Sequence, residues 1–246
     1  MAVSSIVRRG GVAAALLLVA GAALAQGPAQ EAPKNLKVLP KDWSRQQVVA
    51  VMQNFTAGLG VGCDFCHVMN QGAPPDFASD DKNEKNLARA MMKITTDLNA
   101  RLPQDFGMAP ADVTRIGCIT CHRGVPEPKQ LSEILAKTSA DKGFAAASAQ
   151  YDDLKKKFFG AQAYDFTENG LLATATPLIQ MRTDEAIQFL NMNIKLFPQS
   201  VRSYVALAQA QQVKKDVPGA IASLEKAIAI DPKNAQATRM LADLKK

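Results

Sequence analysis

The chain has 246 residues, a formal net charge of +6 and 47% hydrophobic residues, enough for one large or two small domains. Aromatic residues make up only 6%, and Ala, Leu, Lys and Gln dominate, which favours an all-α fold. No long run of Lys and Arg interleaved with aromatic residues occurs, so the sequence argues against a nucleic-acid partner.

The N-terminus has the pattern of a secretory signal peptide. Arg8 and Arg9 precede an apolar stretch that ends in the small-residue sequence Ala23-Leu24-Ala25. We therefore predict a signal peptide over residues 1–25, with an uncleaved anchor as the alternative, and an N-terminal extension over 26–40. Export to the periplasm is expected, where the protein either is free or associates with a membrane complex.

The next segment, from Ser44 onwards, predicts a helix. Ser44 and Gln47 have the spacing of a capping box, and the glycines between Gly58 and Gly62 end the pattern. Met52 lies on its apolar face, ahead of a turn that leads into the first cysteine. If the helix folds back over a cofactor bound at this cysteine, Met52 could reach the face of the cofactor opposite the histidine that follows the cysteine. Ordinary core packing is the alternative for this methionine.

All four cysteines and both histidines lie in two copies of C-x-x-C-H, which are Cys63, Cys66 and His67, and Cys118, Cys121 and His122. This string is the attachment signature of haem c, in which both thiols bond to the porphyrin and the histidine is the proximal iron ligand. A four-thiolate zinc site or a disulfide framework would leave the histidines without a role. The sequence therefore predicts two covalently bound haem c groups. Both histidines are used as proximal ligands, so the sixth ligand is a methionine or a less usual donor, or the position stays open; a methionine thioether suits iron in an apolar pocket.

Two methionines compete for the second haem. The segment from Ser79 to Leu102 predicts a helix whose apolar face carries Met91, with Met92 beside it. Met108 lies ten residues before Cys118, in a loop broken by Pro110. Spacing alone does not choose between Met91 and Met108.

These motifs resemble the tetrahaem cytochrome c subunit of photosynthetic reaction centres. The resemblance rests on VVAVMQNFTAGLGVGCDFCHV, LARAMMKIT and GCITCHRGVPEP, within residues 40–128. It implies Met52 and Met91 as the distal ligands of the first and second haem. This chain has two haem motifs where the family has four, so the dihaem module is what the resemblance carries over.

The second half of the chain predicts further helices. Residues 41–128 are expected to form the dihaem cytochrome domain, with little regular structure besides helices, and 129–165 linking helices ended by Gly143 and Gly160. A 34-residue period over 166–246, visible between Pro198 and Pro232, resembles a tetratricopeptide (TPR) pair. Such helical hairpins pack against neighbours, so we expect this region to pack on the haem domain, self-assemble or dock a protein partner.

Together these features predict an electron carrier rather than an enzyme. Six-coordinate His/Met haems would pass single electrons between redox partner proteins of the periplasm or membrane. The alternative is a dihaem peroxidase-type enzyme with one open haem site.

Overall fold

The structure, a computed structural model, describes residues 31–246, and this part of the chain is all-α as predicted. The described residues form these α-helices: α1 (Arg45–Leu59), α2 (Asn83–Phe106), α3 (Cys118–His122), α4 (Leu131–Lys142), α5 (Phe144–Phe158), α6 (Glu168–Ala175), α7 (Thr183–Leu196), α8 (Val201–Val213), α9 (Val217–Ile230) and α10 (Ala235–Leu244). The predicted signal peptide lies outside the described residues. Over residues 31–246, every helix is too short or too polar to cross a lipid bilayer.

Both long helices before Cys118 form as predicted, and the bounds of α1 agree with the sequence more closely than those of α2. The predicted capping box opens α1: the backbone N–H of Ser44 donates to Oε1 of Gln47 at 2.9 Å. Gly60, with φ +66°, closes α1 in the left-handed conformation that glycine adopts without strain. Gly107 closes α2 in the same way at φ +63°. The helix runs past the predicted end at Leu102 to Phe106, with Pro103 inside its last turn.

Most helices from α4 to α10 pack against a neighbour along the chain: α4 with α5, α6 with α7, α7 with α8, α8 with α9, and α9 with α10. α7 begins at Thr183 and α9 at Val217, and they end at Leu196 and Ile230, so the two helices are offset by 34 residues throughout. The starts of α8 and α10 differ by the same 34 residues. The periodicity in the sequence is therefore present in the helix boundaries.

Buried side chains are distributed very unevenly between the two halves. From residue 31 to residue 124, Gly58 is the one buried residue. The hydrophobic core begins at Val125 and lies among α4–α10, where Leu135, Tyr151 and Phe189 are at most 1% exposed. The half that carries both C-x-x-C-H motifs thus has almost no core made of its own side chains.

Candidate haem c sites

The first motif, Cys63–His67, follows directly from the end of α1. A short 3₁₀ turn spans Cys63–Phe65, and the backbone N–H of His67 donates to the Cys63 carbonyl at 3.0 Å. This turn keeps the two thiols and the imidazole on one compact five-residue segment, as attachment to one porphyrin requires. Burial raises the pKa of the Cys66 thiol, and the carboxylate of Glu84 raises it further.

The imidazole of His67 is half-buried, and the ring of Phe77 stands edge-on to it with 5.1 Å between centroids. Burial lowers the pKa of His67, and the ammonium of Lys85 lowers it further; the nearby Phe77 backbone opposes this shift. By geometry, Nδ1 is buried without a hydrogen-bond partner among the described residues. A neutral ring offers a nitrogen lone pair, which is the form that binds iron.

A charged cluster holds the loop that carries Phe77. Asp80 accepts from Lys37 at 2.5 Å and from Arg89 at 2.7 Å, with Lys85 3.3 Å away. The amide of Asn35 donates to the same carboxylate at 2.9 Å. The Lys37 ammonium, then Asn35, hold the pKa of Asp80 well below its usual range. The cluster ties the N-terminal segment, this loop and α2 together beside His67.

The second motif, Cys118–His122, forms the short helix α3. Gly117 precedes it and donates its N–H to the Thr120 hydroxyl at 3.0 Å. Nδ1 of His122 lies 3.0 Å from the Val125 carbonyl. A proton on Nδ1 makes this hydrogen bond and leaves Nε2 free, which is the arrangement that orients a histidine towards a metal.

Side chains of α2 hold the segment that leads into the second motif. The amide group of Asn99 donates to the Ile116 carbonyl and accepts from the Ile116 N–H, both at 2.8 Å. This double hydrogen bond fixes α2 beside Cys118. Asn99 was not identified from the sequence, because a polar residue on a helix gives no signal of which backbone it meets.

The end of α1 contacts the second motif rather than the first. The N–H of Gly124 donates to the Gly58 carbonyl at 3.0 Å. Gly58 lies so close to α3 that a Cβ placed on it would be 3.1 Å from Cβ of Cys118. The two motifs are therefore brought together through α1.

The predicted distal ligands lie on the helices before each motif. Met52 is half-buried in α1. Met91 is 44% exposed on α2, and Met108 is 45% exposed just beyond Gly107, where its N–H donates to the Pro103 carbonyl at 2.9 Å. Met92, beside Met91, is half-buried.

The residues present fit a large apolar cofactor better than zinc or disulfides. The apolar face of α2 is open to solvent: Leu87, Met91, Ile94 and Leu98 are 57, 44, 55 and 36% exposed. The porphyrin of a haem is a flat apolar body that could cover such a face. All four cysteines are free thiols. Within residues 31–246, no three His, Cys, Asp or Glu side chains converge as a zinc site would need.

Comparison with known proteins agrees with the resemblance found in the sequence motifs. The sequence profile described as "Photosynthetic reaction centre cytochrome C subunit" matches residues 16–195, which extends beyond residue 128 into α7. The chain is 32% identical over 171 residues to the photosynthetic reaction center cytochrome c subunit of Thermochromatium tepidum, covering 63% of this chain and 40% of the relative.

Two further relatives match shorter stretches. The reaction center cytochrome c subunit of Rubrivivax gelatinosus is 34% identical over 70 residues, 28% of this chain and 16% of the relative. Cytochrome c-554 of Chloroflexus aurantiacus is 36% identical over 88 residues, 34% of this chain and 19% of the relative. The chain therefore spans less than half the length of each of these relatives.

Proposed function

The chain belongs to the photosynthetic reaction centre cytochrome c subunit family, and on this premise we propose that it is an electron-transfer dihaem cytochrome c. The observation that carries the proposal is the exposed apolar face of α2 beside the motifs, in a half of the chain where Gly58 alone is buried over residues 31–124. Two porphyrins would supply the apolar core that the side chains do not form.

In this proposal each C-x-x-C-H motif holds one haem. Cys63 and Cys66 bond to the first and Cys118 and Cys121 to the second, with His67 and His122 as proximal ligands. The burial that lowers the pKa of His67 and the 3.0 Å distance from Nδ1 of His122 to the Val125 carbonyl support these roles. When bound, each haem iron accepts and releases one electron.

Met52 and Met91 are the proposed distal ligands. Met91 is supported by its position on the open apolar face of α2, which Asn99 fixes beside the second motif. Met108 is the alternative, and it lies past the end of that helix. Thioether ligands would fill the sixth coordination positions, which suits electron transfer and raises the reduction potential.

We further propose that the protein acts in the periplasm with redox partner proteins there or in the membrane. The TPR-like region, 166–246, would serve docking or assembly, and the 34-residue helix offset supports this assignment. Export by the predicted signal peptide belongs to the same proposal.

Protein matured in a periplasm that attaches haem c tests the core of this proposal. We expect the intact mass to include two haem groups and the oxidised protein to give two low-spin ferric signals by electron paramagnetic resonance (EPR). A mass without covalent haem would refute the proposal. A high-spin ferric signal from the wild type would instead favour the peroxidase-type alternative.

Methionine variants test the distal ligands in a redox titration with spectra. Met52→Ala and Met91→Ala should each convert one haem to high spin and lower its potential, because a weaker ligand replaces the thioether. Met181→Ala is the matched control, since Met181 is 79% exposed among the C-terminal helices. If Met108→Ala gives the effect and Met91→Ala does not, Met108 is the ligand.

The assembly role is tested on the full chain by measuring mass in solution over a range of concentrations. Self-assembly predicts a mass that rises with concentration and falls in Met181→Asp, which places a charge on this exposed apolar residue. A constant monomer mass for the wild type would exclude self-assembly and leave docking of a different protein.

A further inference from the structure

Gly58 and Gly60 precede the first motif in sequence, yet the structure places both against the second. The C-terminal turn of α1 packs on α3 and on the turn that follows it. Gly58 is the single buried residue of α1. Its carbonyl accepts from the N–H of Gly124, at 3.0 Å.

The two glycines meet different parts of the second motif. A Cβ on Gly58 would lie 3.1 Å from Cβ of Cys118 and 3.2 Å from the backbone nitrogen of Ile119. Both distances are shorter than ordinary van der Waals contact, and one neighbour is backbone that can move only with the whole of α3. Any side chain at position 58 therefore presses on the residue proposed to bond to the second haem.

Gly60 meets the turn that holds the proximal histidine. A Cβ there would lie 2.1 Å from the Gly124 carbonyl oxygen and 2.9 Å from its carbon. The next residue, Val125, is 3% exposed and supplies the carbonyl that faces Nδ1 of His122. Displacing the Gly124 carbonyl moves that acceptor, and with it the orientation of the His122 ring.

We propose that Gly58 and Gly60 are positioning residues for the second haem site, acting through Cys118 and through the Val125 carbonyl that orients His122. α1 thereby serves both sites: it carries Met52 towards the first and seats the second motif on its last turn. This inference rests on the proposed function, because it concerns a haem held by the second motif.

The test measures each haem separately in holoprotein. Two versions of the chain, Cys63→Ser with Cys66→Ser and Cys118→Ser with Cys121→Ser, retain one haem each and assign the EPR signals and the reduction potentials. In the two-haem protein, Gly58→Ala and Gly60→Ala should shift the EPR signal and the potential of the second haem and leave those of the first unchanged.

Two matched controls separate contact from other effects. Gly117 adjoins Cys118, but a Cβ there meets nothing within 4 Å, so Gly117→Ala should leave both haems unchanged. Gly107 ends α2 at φ +63°, close to the φ +66° of Gly60, and also has open space around it. Gly107→Ala carries the same left-handed strain without the contact, so it should lower stability without shifting the second haem.

The unmodified protein is measured first. If it lacks covalent haem or low-spin signals, the proposed function has failed, and this result is distinct from the outcomes of the glycine variants. With two low-spin haems present, a larger shift at the first haem, equal shifts at both, or no shift would overturn the inference. Shifts of equal size in the Gly117 or Gly107 control would overturn it as well. If a one-haem protein is not recovered, hydrogen exchange decides: faster exchange at Ile116–Val125 than at Cys63–Phe77 in Gly58→Ala supports the inference, and the reverse refutes it.

Discussion

Preventing haem attachment should unfold the first half of the described chain and leave the second half folded. The change is replacement of all four cysteines by serine, which removes both attachment sites and reduces the side-chain volume only slightly. Because Gly58 is the one buried residue over 31–124, α1, α2 and α3 have almost no buried side chains to hold them together. The helices α4–α10 enclose their own core and should stay folded in this variant.

The size of the effect follows from the exposed face of α2. Fully burying one aliphatic or methionine side chain contributes about 1.5–3 kcal/mol. Leu87, Met91, Ile94 and Leu98 are each roughly half exposed, so covering all four contributes on the order of 3–6 kcal/mol. This is comparable with the whole unfolding free energy of a small domain, about 5–15 kcal/mol. An isolated 15-residue helix such as α1 is marginal in water without such packing.

Far-UV circular dichroism and hydrogen exchange measure the result. α1, α2 and α3 contain 15, 24 and 5 residues, so the helical signal should fall by about a third, and less if α2 stays partly helical alone. Amides of α4–α10 should keep their protection. Full retention of the helical signal, with protected amides in α1 and α2, would refute the claim that the haems form this half's core.

Three further predictions concern single side chains. Asn99→Leu leaves the Ile116 N–H unpaired and should cost about 1–3 kcal/mol of unfolding free energy by denaturant titration, with Asn86→Leu as an exposed control on the same helix. Asp80→Asn should lower the free energy of unfolding near neutral pH, measured by denaturant titration at a series of pH values. Because the folded pKa of Asp80 is depressed, its contribution is present above about pH 4 and is lost as pH falls further, so the difference between wild type and variant should shrink below that pH. Leu224→Ala should cost about 2–5 kcal/mol in the C-terminal core without altering either haem spectrum, and a changed spectrum would contradict the independence of the two halves.

Sequence patterns predict the features of the fold that depend on contacts between residues close together in the chain. The capping box at Ser44, the glycine ends of α1 and α4, and the 34-residue offset were all predicted from residues a few positions apart or from a repeat. The all-α fold follows from helix-forming composition, and the structure confirms it. The haem ligands remain predictions. The C-x-x-C-H motif indicates haem attachment, but it does not predict how the surrounding chain folds.

Contacts between distant segments could not be predicted. The sequence around Asn99 does not identify Ile116 as its partner, and that around Asn35 does not identify Asp80, because the two members of these pairs lie 17 and 45 residues apart. The helical spacing of the apolar residues on α2 predicts that one face of this helix is buried. The described polypeptide leaves that face exposed, and in the proposed function a porphyrin covers it.

The same absence of a protein core explains why glycine is needed at the end of α1. Where side chains do not fill the space between helices, backbone must approach backbone directly, and the approach of Gly58 to α3 and of Gly60 to Gly124 is of this kind. Larger residues at these positions would press α1 away from α3 and from the turn at Gly124. Proximity in sequence to the first motif therefore does not indicate which motif these glycines contact.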